Sequence, residues 1–188
     1  MADTQLDGRR VLVLVTNYGV EQDELLVPLK KLRDQGADVT VAAQSTDAVQ
    51  TLVGDKDPGE TVRPDTTIDE VDPGAYDLLL VPGGTLNVDT LRLDEKAVRA
   101  AASFAGSGRP IAAICHGPWL LVEADVLRDK TLTSYPSLKT DIRNAGAKEW
   151  VDEPAKRCTA AGYPLITSRT PKDLDDFVGA IDEVLSAS

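Results

Sequence analysis

Short stretches that are apolar at every position constrain the fold of this chain more than any other feature. Three of them, at residues 11–15, 78–81 and 111–114, contain only Val, Leu, Ile and Ala. Such runs are typical of parallel strands that are covered on both faces. Between and after them, apolar residues recur at helical spacing over 22–35, 94–105 and 171–185. The alternation predicts an α/β fold with a mostly parallel sheet.

The stretch from 44 to 73 is rich in Asp, Thr, Gly and Pro and predicts one hairpin within irregular structure. Its short strands would lie near 49–52 and 61–62, joined through GDKDPGE. That linker suggests a calcium loop, but it lacks the pattern of oxygen ligands that such a loop needs, so a turn is the better interpretation. Since no linker divides the chain, we expect one domain over residues 1–188.

Composition argues against several classes of function. The 188 residues include 20 Lys and Arg against 31 Asp and Glu, which gives a net charge of −11. An acidic surface repels phosphate backbones and anionic lipid, so we expect neither nucleic acid nor a membrane as partner. Two cysteines are too few for a disulfide framework. The polar N-terminal residues lack the apolar region of a signal peptide, and the sequence predicts a cytoplasmic protein.

Three irregular junctions follow apolar runs of the sequence, at 16–24, 82–89 and 115–117. Ligands of parallel α/β sheets bind beyond the carboxyl ends of the strands. The residues that carry the chemistry of this protein are therefore expected at these three junctions.

Cys115 lies at the third junction, directly after an apolar strand and shortly before the helical sequence near Trp119. A nucleophile on a sharp strand-to-helix turn is lifted clear of its neighbours, and Gly117 permits the tight turn. The amide groups at the start of the helix would lower the pKa of the thiol and make it reactive. The alternative is a buried structural cysteine, which is the better interpretation for Cys158 because that residue lacks this context.

His116 is the only histidine of the chain, which restricts the mechanism. A triad with a histidine on another element is impossible. The base for Cys115 must be His116 held by a carboxylate, or a carboxylate that acts directly on the thiol. A turn residue that caps backbone groups is the alternative role for His116. Cys115, Cys158 and His116 do not provide the spacing of a zinc site, and we expect no metal and no organic cofactor.

Five segments of the chain together resemble the ThiJ/PfpI family, which includes intracellular peptidase-like proteins, glyoxalases and proposed protein deglycases. They are NYGVEQDELLVPLKKLRDQGADVTVAA, YDLLLVPGG, PIAAICHGPWLL, LTSYPSLKTDIRNAGAKEWVDE and LITSRTPKDLDDF. The resemblance implies a flavodoxin-like three-layer α/β/α sandwich with a nucleophile elbow, similar to class I glutamine amidotransferases. It also implies a homodimer or a larger homo-oligomer. The amidotransferases themselves need a second, downstream histidine, which this sequence lacks.

The resemblance assigns roles to two acids of the first predicted helix. It makes Cys115 the nucleophile and Glu24 the carboxyl that contacts the thiol, with Glu21 as a second acid one turn earlier. Independently of the family, Glu24 borders the apolar positions of the helix, and a carboxyl half inside the protein should have a raised pKa. The alternative is that Glu21 and Glu24 complement the positive N-terminus of the helix.

Further residues match positions around the pocket of the family. Gly83 and Gly84 match a loop whose backbone N–H faces the substrate oxyanion, and Tyr135 matches a residue that lines the pocket. In the peptidase-like branch, an acid after the glycine loop reaches the histidine of a neighbouring subunit. Asp89 is the nearest match, although the loop GGTLNVD is one residue longer here and Asp replaces the Glu of that branch.

These observations favour a stress-response enzyme of the glyoxalase or deglycase type. Cys115 would attack the aldehyde carbon of a dicarbonyl such as methylglyoxal, or of a glycation adduct, and backbone N–H groups near Gly84 and His116 would stabilise the oxyanion. Glu24 or His116 would transfer protons. Two alternatives stay open: an oligomeric cysteine peptidase acting on peptides, and an oxidative-stress sensor or chaperone-like protein that acts through oxidation of Cys115 without turnover.

Overall fold

The structure is a computed structural model that describes residues 5–187. Its strands in chain order are β1 (Arg10–Leu14), β2 (Tyr18–Glu21), β3 (Asp38–Ala43), β4 (Val49–Val53), β5 (Asp57–Val62), β6 (Thr66–Thr67), β7 (Leu78–Val81), β8 (Ile111–Ile114), β9 (Thr131–Leu132), β10 (Glu149–Trp150), β11 (Ala155–Cys158) and β12 (Leu165–Ser168). Its α-helices are α1 (Gln22–Asp34), α2 (Thr85–Leu91), α3 (Glu95–Gly106), α4 (Pro118–Glu123), α5 (Lys139–Asn144) and α6 (Leu174–Ser186). Within the described residues, none of these helices is long and apolar enough to cross a membrane.

The central sheet has seven strands in the order β11-β12-β8-β7-β1-β3-β6. All of its neighbouring strands run parallel except β11, which pairs antiparallel with β12. The predicted mostly parallel α/β sheet is confirmed. Because the strands are parallel, β1, β7 and β8 end at the same edge, which brings together the three junctions selected from the sequence.

Helices cover both faces of this sheet, which explains the continuous apolar runs of β1, β7 and β8. Along β1, Val11 and Val13 belong to the hydrophobic cluster that includes the buried side chains of α1 and α6. Leu12 and Leu14 belong to the cluster that includes those of α3 and α4. Successive side chains of a strand point to opposite faces, so both sets must be apolar. The predicted flavodoxin-like three-layer sandwich is confirmed.

The predicted hairpin is present as β4 and β5, which pair antiparallel. Strand β2 pairs parallel with β4 and extends the hairpin to a three-stranded sheet that contacts α1 and α2. Residues 54–56 form its turn, so only the first three residues of the predicted linker GDKDPGE lie in the turn, and residues 57–60 belong to β5. Asp55 lies in the turn with a φ of 57°. This small sheet lies beside the carboxyl edge of the central sheet.

Several short elements are not indicated by the sequence pattern: β2, β9, β11 and α2. The longest of them, α2, has seven residues, which is too short for a recognisable period. It occupies the segment after Gly84 for which the sequence analysis expected a loop. The consequence is that Asp89 lies on a helix and not on a flexible connection.

Glycine replacements provide a test of the packing. Gly179 lies exposed inside α6, and a Cβ there would meet no atom within 4 Å. Since glycine in a helix interior costs about 0.5–1 kcal/mol relative to alanine, Gly179→Ala should raise the free energy of unfolding by that amount, measured by urea denaturation. Gly117→Ala is the contrasting variant, because its Cβ would lie 2.5 Å from the Val81 carbonyl oxygen, and it should lower the stability. A less stable Gly179→Ala protein would contradict the described α6 surface.

Candidate active site

Cys115 occupies the turn between β8 and α4 at the carboxyl edge of the central sheet. Its φ of 60° lies in the left-handed region, where residues other than glycine are strained. The Cys115 N–H donates to the Ser168 carbonyl at 3.0 Å, and the Tyr135 N–H donates to the Cys115 carbonyl at 2.9 Å. A Cβ on Gly117 would lie 2.5 Å from the Val81 carbonyl oxygen, so the turn requires glycine. The predicted elbow is present.

Glu24 on α1 is fully buried against this elbow, deeper than the half-buried carboxyl expected from the sequence. Its Oε2 accepts a hydrogen bond from the Gly83 N–H at 2.8 Å, and its Oε1 is buried without a hydrogen-bond partner. Burial raises the pKa of the carboxyl to about 8, and its interactions with the Cys115 thiol and the Gly83 N–H only partly offset this. Glu24 is therefore mostly protonated at neutral pH, and Oε1 is free to carry the proton.

The two glycines after β7 let the backbone pass close to the acid and the thiol. A Cβ on Gly83 would lie 2.3 Å from Glu24 Oε2 and 2.7 Å from the Cβ of Cys115. Gly84 has a φ of +87°, and a Cβ there would lie 2.2 Å from the Gly19 carbonyl oxygen. The Gly83 N–H donates to Glu24, so it is not available to a substrate oxyanion as the resemblance implied. The Gly84 N–H is left as the candidate donor of this loop.

The prediction of a lowered pKa for the Cys115 thiol is wrong. Burial raises the pKa of the thiol above its ordinary value, and the neighbouring carboxyl groups of Glu24 and Asp55 raise it further. A hydrogen bond from the His116 N–H acts in the opposite direction, but it is the smallest of these effects. The predicted helix effect was therefore overestimated. The physical reason is that α4 is only six residues long, while Cys115 is only 6% exposed.

His116 lies with its imidazole against the thiol, so its role is not that of a residue capping the turn. Its Nδ1 is 3.2 Å from the Cys115 Sγ. The ring stacks on Tyr135, with 4.9 Å between centroids, and meets the edge of Trp119 at 5.1 Å. Burial lowers the pKa of His116, so the imidazole is neutral near pH 7.

Asp55 and Thr85 extend the site on the far side of the imidazole, and the sequence analysis missed both. The Thr85 Oγ1 lies 3.3 Å from His116 Nε2, and Asp55 accepts from the Thr85 hydroxyl at 2.7 Å and from the Thr85 N–H at 2.9 Å. Glu21 holds Asp55 in place by accepting the N–H groups of Gly54 and Asp55, each at 3.0 Å. Its carboxylate supports the hairpin turn and not the start of α1.

The only sequence signal for Asp55 was its place in the turn GDKDPGE, which has no helical or strand period and was interpreted as a connection. For Thr85 there was no signal beyond its position after the glycine pair. Neither residue could be paired with His116 from the sequence, because 31 positions separate Thr85 from His116 and 30 separate it from Asp55.

The site opens into a cavity of about 270 Å³ that is lined by Glu21, Glu24, Gly54, Asp55, Thr85, Cys115, His116, Tyr135, Thr170 and Pro171. Tyr135 is 41% exposed and forms part of its rim. Asp89 lies exposed on α2 and is not part of this lining, so its contact with a neighbouring subunit stays a prediction.

Cys158 lies elsewhere, on β11, where its Sγ accepts the Thr131 N–H at 3.4 Å. Across residues 5–187, no group of three or more His, Cys, Asp and Glu side chains is arranged to hold a metal ion.

Glu24→Gln tests the buried neutral acid. The pKa of Glu24 is higher in the folded state than its ordinary value, so its contribution to stability is fully present at low pH and is lost as pH rises towards about 8. Between about pH 5 and 8, the free energy of unfolding of the wild type should fall relative to that of Glu24→Gln, by up to about 1.4 kcal/mol per pH unit. Urea denaturation across this range measures the difference. A constant difference would show that Glu24 titrates normally.

The chain is similar to known proteins over nearly its whole length. The sequence model of the DJ-1/PfpI family matches residues 9–183. The chain is similar to the deglycase PH1704 of Pyrococcus horikoshii, with 39% identity over 88% of this chain and 92% of that protein. General stress protein 18 and the putative cysteine protease YraA, both of Bacillus subtilis, are each 36% identical over 90% of this chain and 94% of their own length.

A structural relative extends the likeness to the whole fold. DJ-1beta of Drosophila melanogaster matches with a TM-score of 0.83 and 30% sequence identity, over 96% of this chain and 91% of that protein. The chain belongs to the DJ-1/PfpI family.

Proposed function

We propose that this protein is a stress-response enzyme that uses Cys115 for glyoxalase or deglycase chemistry on reactive dicarbonyls or early glycation adducts. One observation carries the proposal: the Cys115 thiol borders a small cavity, between the protonated acid Glu24 and the neutral imidazole of His116. Both groups can exchange protons near neutral pH. The relatives named as deglycase and general stress protein support the same class.

The first step joins the thiol to the aldehyde carbon of the substrate. The S–H bond of Cys115 breaks as the S–C bond forms, and the proton passes to the imidazole of His116. The π electrons of the aldehyde carbonyl move to its oxygen, for which the Gly84 N–H and the protonated Glu24 are candidate donors. Transfer of the Glu24 proton to this oxygen gives a neutral hemithioacetal.

The second step converts the hemithioacetal into a hydroxy acid without a net change in oxidation state. The hydrogen on the former aldehyde carbon leaves as a proton to the ionised Glu24, while protonated His116 gives its proton to the neighbouring carbonyl oxygen, which forms an enediol. Glu24 then returns its proton to the neighbouring carbon, and the hydroxyl group on the former aldehyde carbon loses its proton to His116, which gives a thioester with Cys115. Water then hydrolyses the thioester, which releases the hydroxy acid and restores the thiol.

The charge of the cavity favours neutral substrates. Its lining includes the carboxyl groups of Glu21, Glu24 and Asp55, and none of the described lining residues is Lys or Arg. A substrate with its own carboxylate or phosphate would meet negative charge without a cation to offset it. Small neutral dicarbonyls are therefore the substrates that this cavity suits best.

The peptidase and sensor alternatives receive less support. A cavity of about 270 Å³ suits a molecule of a few heavy atoms better than an extended peptide. Oxidation by peroxide requires thiolate character, whereas burial raises the pKa of Cys115. Our proposal also includes a cytoplasmic homo-oligomer, in which Asp89 of one copy could meet the site of another.

Cys115→Ser tests the nucleophile. With methylglyoxal as substrate, the rate of hydroxy-acid formation should fall by at least about 100-fold, because a neutral serine hydroxyl is a much weaker nucleophile than cysteine. Product is measured over many turnovers, so that simple trapping of the aldehyde by a thiol is not counted. Cys158→Ser is the matched control and should keep the wild-type rate. Equal rates for wild type and Cys115→Ser would reject the proposal.

4,5-Dioxopentanoate and its neutral amide, 4,5-dioxopentanamide, test the charge preference with substrates of nearly equal size. Both carry the same dicarbonyl group, and they differ only in the charge at the far end of the molecule. We expect kcat/KM for the amide to be at least about tenfold higher at low ionic strength, and the ratio to shrink with added salt. Steady-state kinetics with both compounds measure this ratio. Equal or preferred use of the carboxylate would contradict the assignment of an anion-repelling cavity.

A further inference from the structure

We propose that Asp55 and Thr85 of the same chain are positioning residues that hold His116 in the tautomer with hydrogen on Nε2, so that Nδ1 is the base for the Cys115 thiol. This inference deepens the proposed function and rests on it for its catalytic meaning. The hydrogen-bond chain itself is defined by the geometry from Cys115 through His116 and Thr85 to Asp55.

Asp55 determines which group donates and which accepts in each of these hydrogen bonds. Its Oδ1 accepts the Thr85 N–H at 2.9 Å, and its Oδ2 lies 2.7 Å from the Thr85 hydroxyl oxygen. A carboxylate can only accept hydrogen bonds, so the single hydroxyl proton of Thr85 must point to Asp55. Glu21 restrains Asp55 from behind by accepting its N–H at 3.0 Å. This leaves the Thr85 oxygen with only its lone pairs for other partners.

The imidazole must then donate to Thr85. His116 Nε2 lies 3.3 Å from the Thr85 oxygen, whose proton is already given to Asp55, so Nε2 carries the hydrogen. The hydroxyl of Ser137 lies 3.5 Å from the same nitrogen and can accept from it as a weaker second partner. In a neutral imidazole only one nitrogen carries hydrogen, so Nδ1 presents its lone pair.

That lone pair faces the nucleophile. The Nδ1 atom is 3.2 Å from the Cys115 Sγ, which is a hydrogen-bond distance for sulfur. When the thiol adds to an aldehyde, the S–H bond breaks, the proton bonds to Nδ1, and the sulfur electron pair forms the S–C bond. The imidazolium that results donates Nε2–H to Thr85, and its positive charge is balanced by Asp55 two hydrogen bonds away.

The surroundings of the imidazole make Asp55 the group that balances this charge. The ring faces Thr85, Ser137, Trp119 and Tyr135, while Glu24 lies beyond the thiol in its protonated form. Burial lowers the pKa of His116, and the negative charge of Asp55 opposes that shift. All of the hydrogen-bonded groups from the Cys115 thiol to the Asp55 carboxylate therefore belong to one subunit, and none comes from a partner.

Asp55→Asn is expected to exchange the donor and acceptor roles in the hydrogen bonds from residue 55 through Thr85 to His116. The asparagine oxygen would keep the hydrogen bond from the Thr85 N–H, which turns its NH₂ group towards the Thr85 hydroxyl. Thr85 would then accept from Asn and donate to Nε2, which forces hydrogen onto Nδ1, in front of the thiol. The same kind of carboxylate-to-amide change produces the wrong histidine tautomer in serine proteases.

Nitrogen NMR of the imidazole measures the tautomer directly, and the signal needs no assignment because the chain has one histidine. The wild type should carry hydrogen on Nε2, and Asp55→Asn should shift the population towards Nδ1–H and lower the measured pKa of His116. Asp57→Asn, an exposed residue of the same hairpin, is the matched control and should change neither quantity. Hydrogen on Nδ1 in the wild type, or an unchanged tautomer in Asp55→Asn, would overturn the proposal.

Kinetics with methylglyoxal test the functional consequence. Asp55→Asn and Thr85→Val should each lower kcat by about 10- to 100-fold with a smaller change in KM, whereas Thr85→Ser, which keeps the hydroxyl, should restore most of the rate. Wild-type kcat in Asp55→Asn combined with loss of activity in Asp89→Asn would overturn the proposal in favour of an acid from a neighbouring subunit. If Cys115→Ser is as active as the wild type, the proposed function fails, and the NMR result still decides the tautomer.

Discussion

The parallel direction of the central strands is the constraint on which the site depends. Strands β1, β7 and β8 end at one edge of the sheet, and the segments that follow them carry Glu24, the glycine pair and Cys115. Helices on both faces keep these strands in register by burying apolar side chains on each side. Hydrogen bonds with neighbouring segments stabilise the strained turn at Cys115.

Close backbone approach at this edge determines the electrostatics of the thiol. Because Gly83 has no side chain, its backbone can lie against both Glu24 and Cys115 and shield the acid from water. A carboxyl without solvent is more stable protonated, and a thiol beside it loses its own proton less readily. Both Glu24 and the Cys115 thiol are therefore protonated at rest. The thiol becomes reactive when it transfers its proton to the adjacent base, His116, and no preformed thiolate is needed.

The hairpin of β4 and β5 contributes the other half of the site. Its turn places Asp55 behind Thr85, and Glu21 fixes that turn from the residue before α1. A segment that looks like an ordinary connection in the sequence thus supplies the negative charge that faces the imidazole. Its left-handed backbone at Asp55 is an uncommon conformation that the two hydrogen bonds from Gly54 and Asp55 to Glu21 stabilise.

The sequence alone determined the layer architecture and the position of the elbow, while the role of Glu24 was implied by the family resemblance. The architecture and the elbow follow from local patterns: apolar runs predict strands covered on both faces, and Cys115 between a strand and a helix predicts a sharp turn. Only the tertiary structure decided that Glu24 is fully buried, that the Gly83 N–H is occupied by it, and that Asp55 and Thr85 meet His116. The physical reason is that hydrogen bonds and desolvation depend on distances between segments far apart in the chain. Local hydrophobic patterns in the sequence contain no information about those distances.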